Sequence, residues 1–327
     1  MPGLSQDQLA LYTKDMYKAQ REGYKEMPTK YNELFKVVTG VTGSGDKMTQ
    51  MLGAGRLTRH TTEDQKINFK SPVQGWEFLV KYHTFSDGLA FSKPAVEDTV
   101  KLGSLMNDLS KTWGRMVRIE KEEWAARVFN EGGNLTGDVV FNGSHVGNTA
   151  AYGDLLYDNK PLFNLTGNTR TSKGGSTYFN SIAGLTLTAG NFETLYNLHT
   201  ATNNRDERDN VVQNPADTLL VRPGAEKFKA DRIIDTSKGM PGGQLNDKNP
   251  YYNLCSVIDW DYLEAAEAAF FIGKRQSDDF QFHERQQEEI RFWRTEDDLG
   301  YKCSINVRFG ILIKNWRTWS RGGGTSA

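Results

Sequence analysis

Apolar positions in this chain fall at helical spacing in one long run and alternate in several short ones. From Pro94 to about Glu131, Leu102, Leu105, Met106, Leu109, Trp113, Met116, Val117, Trp124 and Val128 recur at three- and four-residue steps. That spacing predicts an amphipathic helix. Pro94 suits its first turn, Glu97 and Asp98 favour the positive end of the dipole, and Gly132-Gly133 closes it. At 1.5 Å per residue, about 37 residues would reach roughly 55 Å. Gly103 or Gly114 would supply a bend.

Ahead of this helix the chain is thin in apolar residues. Leu9, Tyr12, Met16 and Tyr17 sit at near-helical spacing, so Met1 to about Lys36 reads as one short helix in a polar tail that takes its order from a neighbour. Thr39 to Gly55 is rich in glycine and serine and reads as a loop. Gln65 to Lys70 and Trp76 to His83 then read as strands joined by Ser71 to Gly75. In the second, Trp76, Phe78, Val80 and Tyr82 share one face. A lone two-stranded arm has little to bury and needs a surface to lie upon.

Beyond the helix, Asn134 to Asn180 is rich in Gly, Asn, Ser and Thr, as stretches ordered by function or partners are. Thr188 to Thr200 predicts a helix capped by Thr188, Asp217 to Val221 a buried strand, and Ala225 to Ile234 a second helix after Arg222-Pro223-Gly224. Gly239 to Tyr251 reads as a loop. Strand patterns follow at Cys255 to Asp259, Ala268 to Gly273, Ile290 to Trp293 and Tyr301 to Lys314. The order is α+β, with a second lobe inserted between the long helix and the returning strands.

Composition narrows the function more than it defines it. The 327 residues carry 40 Lys+Arg against 41 Asp+Glu, a formal charge of −1, which lacks the basic excess of a nucleic-acid binder. No stretch reaches 18 consecutive apolar residues, and Met1 to Ala10 lacks a signal-peptide pattern, so a soluble, cytoplasmically made protein is expected. Seven Trp and thirteen Tyr in a chain of mean hydropathy −0.61 suit large interfaces.

Catalytic signatures are sparse. Gly40 to Met48 faintly echoes a phosphate loop, but Asp46 precedes Lys47 and Met48 replaces the hydroxyl. His60, His83, His145, His199 and His283 are scattered, and Cys255 and Cys303 have no metal spacing. Asp278-Asp279 and Glu296-Asp297-Asp298 read as solvated turns. No catalytic residue, cofactor or metal is therefore expected. A hydrolase with a Cys/His site formed at long range is the alternative from another class. Arg115, Arg118, Lys121 and Arg127 alternate with Glu120, Glu122 and Glu123, which reads as a solvated mixed face rather than a DNA-facing stripe.

The order of these pieces resembles the major capsid proteins of tailed bacteriophages with the HK97-type fold, and the Mu-like head subunits in particular. The likeness covers most of the chain. It is carried by Trp124-Ala125-Ala126-Arg127-Val128-Phe129-Asn130, by Leu219-Leu220-Val221-Arg222-Pro223, and by Phe309 to Arg317. Phe141 to Gly147 departs from the Mu-like pattern, keeping Ser144 and His145 without the cysteine or proline.

The resemblance implies an N-terminal arm at 1–36 and an extended-loop region at 37–95. It further implies a peripheral domain with the spine helix at 94–137, a mainly axial domain at 138–279, and a return to the peripheral domain at 280–327. It implies hexamers and pentamers of this chain around packaged DNA in a virion assembled in a bacterial cytoplasm. A separate scaffolding protein, a maturation protease and a portal protein would be partners; an encapsulin-like nanocompartment shell is the alternative within the fold. Tyr12, Tyr17, Phe69, Trp76, Phe78, Tyr82, Trp113, Arg115 and Arg118 are the expected interface residues.

Overall fold

In the computed structural model, residues 6–42, 45–52, 73–92, 102–133, 160–238, 248–264, 269–294 and 300–324 are described, with single positions at 57, 59, 61, 66, 67 and 69. Helix α1 (Gln6–Lys25) and the short α2 (Tyr31–Leu34) lead into strand β1 (Phe35–Thr39). Strands β2 (Gly45–Leu52) and β3 (Val73–Lys81) pair, β4 (His83–Phe91) follows, and the long helix α3 spans Leu102–Asn130. Next come β5 (Arg170–Thr171), β6 (Thr177–Tyr178), β7 (Ser181–Ile182), α4 (Ala189–Asn197), β8 (Thr218–Val221) and α5 (Ala225–Ile234). The last third is strand: β9 (Ser256–Asp259), β10 (Phe270–Gly273), β11 (Ser277–Arg294), β12 (Tyr301–Ile313) and β13 (Trp319–Gly322).

The chain divides into two compact units. The first collects Met1–Ser44, Tyr82–Ala126 and Phe282–Ile311. Its sheet runs β1-β11-β12-β4, with β12 antiparallel to β4 from Tyr301↔Phe91 to Phe309↔His83. Phe85 stacks on Phe309 at 4.5 Å, Phe309 on Phe282 at 5.3 Å, and Trp124 of α3 meets Phe85 edge-on at 5.6 Å. Helix α1 buries Met16, Ala19 and Gln20 within its own chain instead of waiting for a neighbour, contrary to the sequence reading. The reason is backbone proximity. A Cβ on Gly23 would lie 2.2 Å from the Lys111 carbonyl oxygen, and one on Gly114 2.2 Å from that of Gln20. Gly114 therefore lets two helices touch, in place of the bend expected of it.

The face of α3 read as solvated is divided: Arg115, Glu120, Glu123 and Arg127 are exposed as expected, while Arg118, Lys121 and Glu122 are internal. Lys121 Nζ lies 2.9 Å from both Glu284 Oε1 and Glu288 Oε1 of β11, and Tyr24 of α1 stands beneath it. Burial pulls this ammonium's pKa down, and the two carboxylates more than reverse that, leaving it above the ordinary lysine value. The Arg118 guanidinium donates to the Tyr24 carbonyl, and Glu122 Oε1 accepts from the backbone N–H of Lys30 at 2.7 Å. Charge here is buried because each group has a specific partner.

The second unit collects Gly45–Lys81, Arg127–Gln281 and Leu312–Ala327. Its sheet runs β7-β13-β10-β8-β9, in which β10 is antiparallel to β13 and β8, while β13/β7 and β8/β9 are parallel. Phe192, Leu195, Leu219, Ile233, Phe270 and Ile272 form the core between this sheet and α4 and α5. Phe129 is ringed by Phe163, Trp260, Phe271, Phe280 and Trp319, with centroids 5.1–6.3 Å away. Thr188 caps α4 as its sequence signals, its Oγ1 accepting from Asn191 N–H. A π-turn (Leu198–Thr202) continues α4 and buries His199 completely, with Nδ1 3.0 Å from Ser320 Oγ.

Several expectations shift. The partner of β3 is β2, inside the stretch read as a loop, whereas 66, 67 and 69 carry no strand. Strand pairing is a long-range choice, and Gly45 opens β2 instead of a loop. Lys47 and Met48 pair with Leu79 and Phe78, so the Gly45–Met48 part of the phosphate-loop echo is a strand. Strand β11 runs 18 residues, where the pattern gave only Ile290 to Trp293. Its polar residues, Lys121's two acceptors among them, mask the alternation. Asp278 and Asp279 begin β11 rather than forming a solvated turn. Residues 94–101, 134–159, 239–247 and 296–298, with the readings made on them, lie outside the described residues.

Three outcomes follow. Gly23→Ala and Gly114→Ala should each lower stability by about 1–3 kcal/mol, since a methyl cannot enter backbone contact without a shift. Gly103→Ala meets only a Tyr12 ring carbon at 3.5 Å and should stay within about 0.5 kcal/mol; equal denaturation midpoints for all three would refute the close crossing. Lys121→Met should cost roughly 3 kcal/mol, because two largely enclosed carboxylates lose their cation. Burial holds His199 down at about 4, below its ordinary 6.5. The unfolded chain therefore takes the proton first. Stability should be full above about 6.5 and fall as pH drops towards 4, by up to about 1.4 kcal/mol per pH unit from this group. Between pH 6.5 and 5, His199→Asn should flatten that slope in urea titrations.

Candidate assembly surfaces

The nine expected interface residues divide by exposure. Phe78, Trp113 and Arg118 are buried within the chain. The Trp113 indole donates to Asp87 Oδ2 at 2.7 Å, and Phe78 shares the inner face of β3 with the fully buried Val80. Tyr17 accepts from the Ile290 N–H at 2.8 Å, Tyr82 bonds His283 Nδ1 at 3.2 Å, and Tyr12 sits edge-on to Phe292 at 6.4 Å. Arg115 is half-exposed and donates from Nε to Glu26 Oε2 at 2.8 Å. Phe69 is 90% exposed. The last, Trp76, is half-buried in a built notch.

That notch belongs to the second unit. The β5–β6 hairpin presents Lys173 at its turn, and the loop from Arg205 to Val211 presents Glu207. Asp209 ties the two together, accepting from Ser172 Oγ at 2.6 Å, Tyr178 OH at 2.9 Å and the Ser176 N–H at 3.2 Å. It holds a left-handed φ of 59° to do so. Asp206 accepts from the Arg208 and Asn210 N–H groups, each at 2.8 Å, which fixes the loop from inside. Glu207 and Arg317 form a buried ion pair at 2.5 Å, and the Arg317 guanidinium lies 4.4 Å from the Trp316 ring centroid. Onto this frame Trp76 donates from Nε1 to Glu207 Oε2 at 3.2 Å, with Lys173 Nζ 3.9 Å above its ring. The sequence marked Trp76 but not its receivers, which come from three stretches more than 30 residues apart.

Apolar side chains remain exposed in both units. Leu11 of α1 (62%) and Met116 of α3 (55%) stand out in the first, Phe228 of α5 (67%) and Val211 in the second. Phe228 was legible: it lies off the Ala230, Ile233, Ile234 stripe by which α5 docks. In the first unit a concave surface of about 500 Å³ opens between β4 and α3, lined by Phe85, Trp113, Met116 and Val307 among others.

The chemistry available is poor for a thiol hydrolase. Burial pushes the Cys255 thiol up to about 12 and Cys303 up to about 11, and their hydrogen bonds go to the Ala216 and Leu89 carbonyls. A nucleophilic cysteine needs the opposite shift. Ser320 and His199 are in bonding distance, yet both are fully buried. Among the described residues, no group of three His, Cys, Asp or Glu is placed to hold a metal, and no helix is long and apolar enough to cross a membrane.

No family profile and no curated protein matches the chain. Solved structures do. The mature capsid asymmetric unit of bacteriophage PhiM1 matches with a TM-score of 0.53 at 6% identity, over 92% of this chain and 88% of that one. The capsid of cyanophage P-SCSP1u matches at 0.52 and 9% identity, over 92% and 89%. A Mycobacterium phage Patience structure matches at 0.52 and 11% identity, over 99% and 91%. At such identities only architecture is shared, and it is shared along nearly the whole chain: a mixed helix-and-sheet chain with the fold of phage capsid subunits.

Proposed function

We propose that this chain is the major capsid subunit of a tailed bacteriophage, of HK97 type, which assembles through hexamers and pentamers into an icosahedral shell around double-stranded DNA. The observation that carries the reading is the match to two phage capsid structures, each over 92% of the chain. In this reading α1 and its flanks, 1–36, are the N-terminal arm, and 37–95 holds the extended loop. Helix α3 is the spine, 138–279 is mainly axial, and 280–327 returns to the peripheral domain. A Mu-like relationship, a separate scaffolding protein, a maturation protease and a portal belong to the same proposal. So do a virion location and assembly in the host cytoplasm.

The surface suits such work. Phe69, Leu11, Met116 and Phe228 are exposed in the single chain, and burying each fully would contribute about 1.5–3 kcal/mol per contact. Repeated by symmetry, modest contacts of this kind close a shell. The balanced charge leaves DNA to be enclosed by non-specific contact rather than gripped.

Negative-stain electron microscopy and sedimentation of the purified chain, alone and with a co-expressed scaffolding protein, test the proposal. Rings or closed particles are expected in at least one of the two conditions. A strictly monomeric species in both would sink it.

A further inference from the structure

A polar cleft of about 140 Å³ opens in the second unit. Arg205, Lys274 and Arg317 line it as cations, and Asp279 is its carboxylate among the described residues. The space amounts to about four or five waters. It takes a small ion and is too tight for a nucleotide or a peptide.

Arg317 is the group left incomplete there. Its Nη1 bonds Glu207, and the Trp316 and Tyr178 ring centroids lie 4.4 and 5.3 Å from its central carbon. The remaining edge, Nε and Nη2, is buried with no hydrogen-bond partner among the described residues. That edge is a two-donor fork, which matches two oxygens of one oxyanion. Orphaned buried donors are costly, so an acceptor from outside the chain gains more here than at an exposed arginine. The backbone beneath is fixed: the Arg317 N–H donates to Asn315 Oδ1 at 3.1 Å, and Asn214 Nδ2 donates to the Arg317 carbonyl at 2.9 Å. The fork is therefore held in place before any ligand arrives.

Two acceptors line the same cleft. Asn203 is fully buried and donates to the Phe179 carbonyl at 2.9 Å, while its Oδ1 has no partner among the described residues. Asp279 Oδ2 accepts from Asn315 Nδ2 at a long 3.4 Å. A fully ionised oxyanion such as sulfate meets these oxygens with repulsion. Hydrogen phosphate presents bare oxygens to the cations and a P–O–H donor to the acceptors.

We propose that this cleft binds one inorganic hydrogen phosphate ion, with Arg317 and Lys274 on its oxygens and Asp279 accepting from its hydroxyl. The site belongs to the single chain and does not rest on the shell reading.

Calorimetric titration of the whole chain with sodium phosphate, and separately with sodium sulfate, in chloride buffer at constant ionic strength tests it. Phosphate should bind saturably at one ion per chain, about tenfold tighter than sulfate. Lys274→Ala, at an exposed position, should weaken phosphate by about tenfold through loss of a charge-assisted contact. Asp279→Asn should remove most of the preference by admitting sulfate. Absence of saturable phosphate binding overturns the proposal, and so does equal binding of the two anions by the parent chain. Phosphate binding untouched by Lys274→Ala puts the ion elsewhere and overturns the site. Melting temperatures in chloride alone check folding; should Asp279→Asn fail to fold, the Lys274→Ala titration still decides.

Discussion

The first unit hangs on one buried ammonium. Lys121 projects from α3 between two carboxylates of β11, with Tyr24 of α1 below. A helix can slide or rotate on an apolar sheet at little cost, because dispersion is not directional. A charge with two acceptors cannot. Moving α3 by one turn would strand three charges in a protein interior, so the cluster fixes register in a way that the stacked Phe85, Phe309 and Phe282 do not. Glu122, one residue on, extends the same logic to the start of α2 by accepting from Lys30.

With the helix fixed, α1 can lie against it through glycine alone. Gly23 and Gly114 bring two backbones together at a distance no other residue allows. The exposed ion pairs on either side, Lys111 with Glu22 and Arg115 with Glu26, add little by comparison. The second unit is built differently, around aromatic rings and a neutral buried histidine, with its ion pair Glu207–Arg317 placed where the hairpin meets it.

Legibility in the sequence followed the range of the interaction. Helices α3 and α5, the Thr188 cap, β8 and β12 were all readable because their signals are local: period, cap, buried run, alternation. Strand β2 was missed because what makes Gly45–Leu52 a strand is Val73–Lys81, more than twenty residues on. Strand β11 was mostly missed because its buried polar residues serve partners on α3 and break the expected apolar alternation. The same cause turned Arg118, Lys121 and Glu122 into an apparent solvent face. At the candidate site, Trp76 was visible as an aromatic on a strand, while Lys173, Glu207 and Arg317 had no signal at all. The architecture was still recognisable, since element order survives errors in individual strands.

The two thiols have a consequence for the chain's covalent state. Both are enclosed and held protonated, Cys255 under the second unit's sheet and Cys303 within β12. Oxidants and exchanging disulfides act on the thiolate, which here is scarce and out of reach. A chain so made can pass from a reducing interior into aerated water without pairing these two thiols.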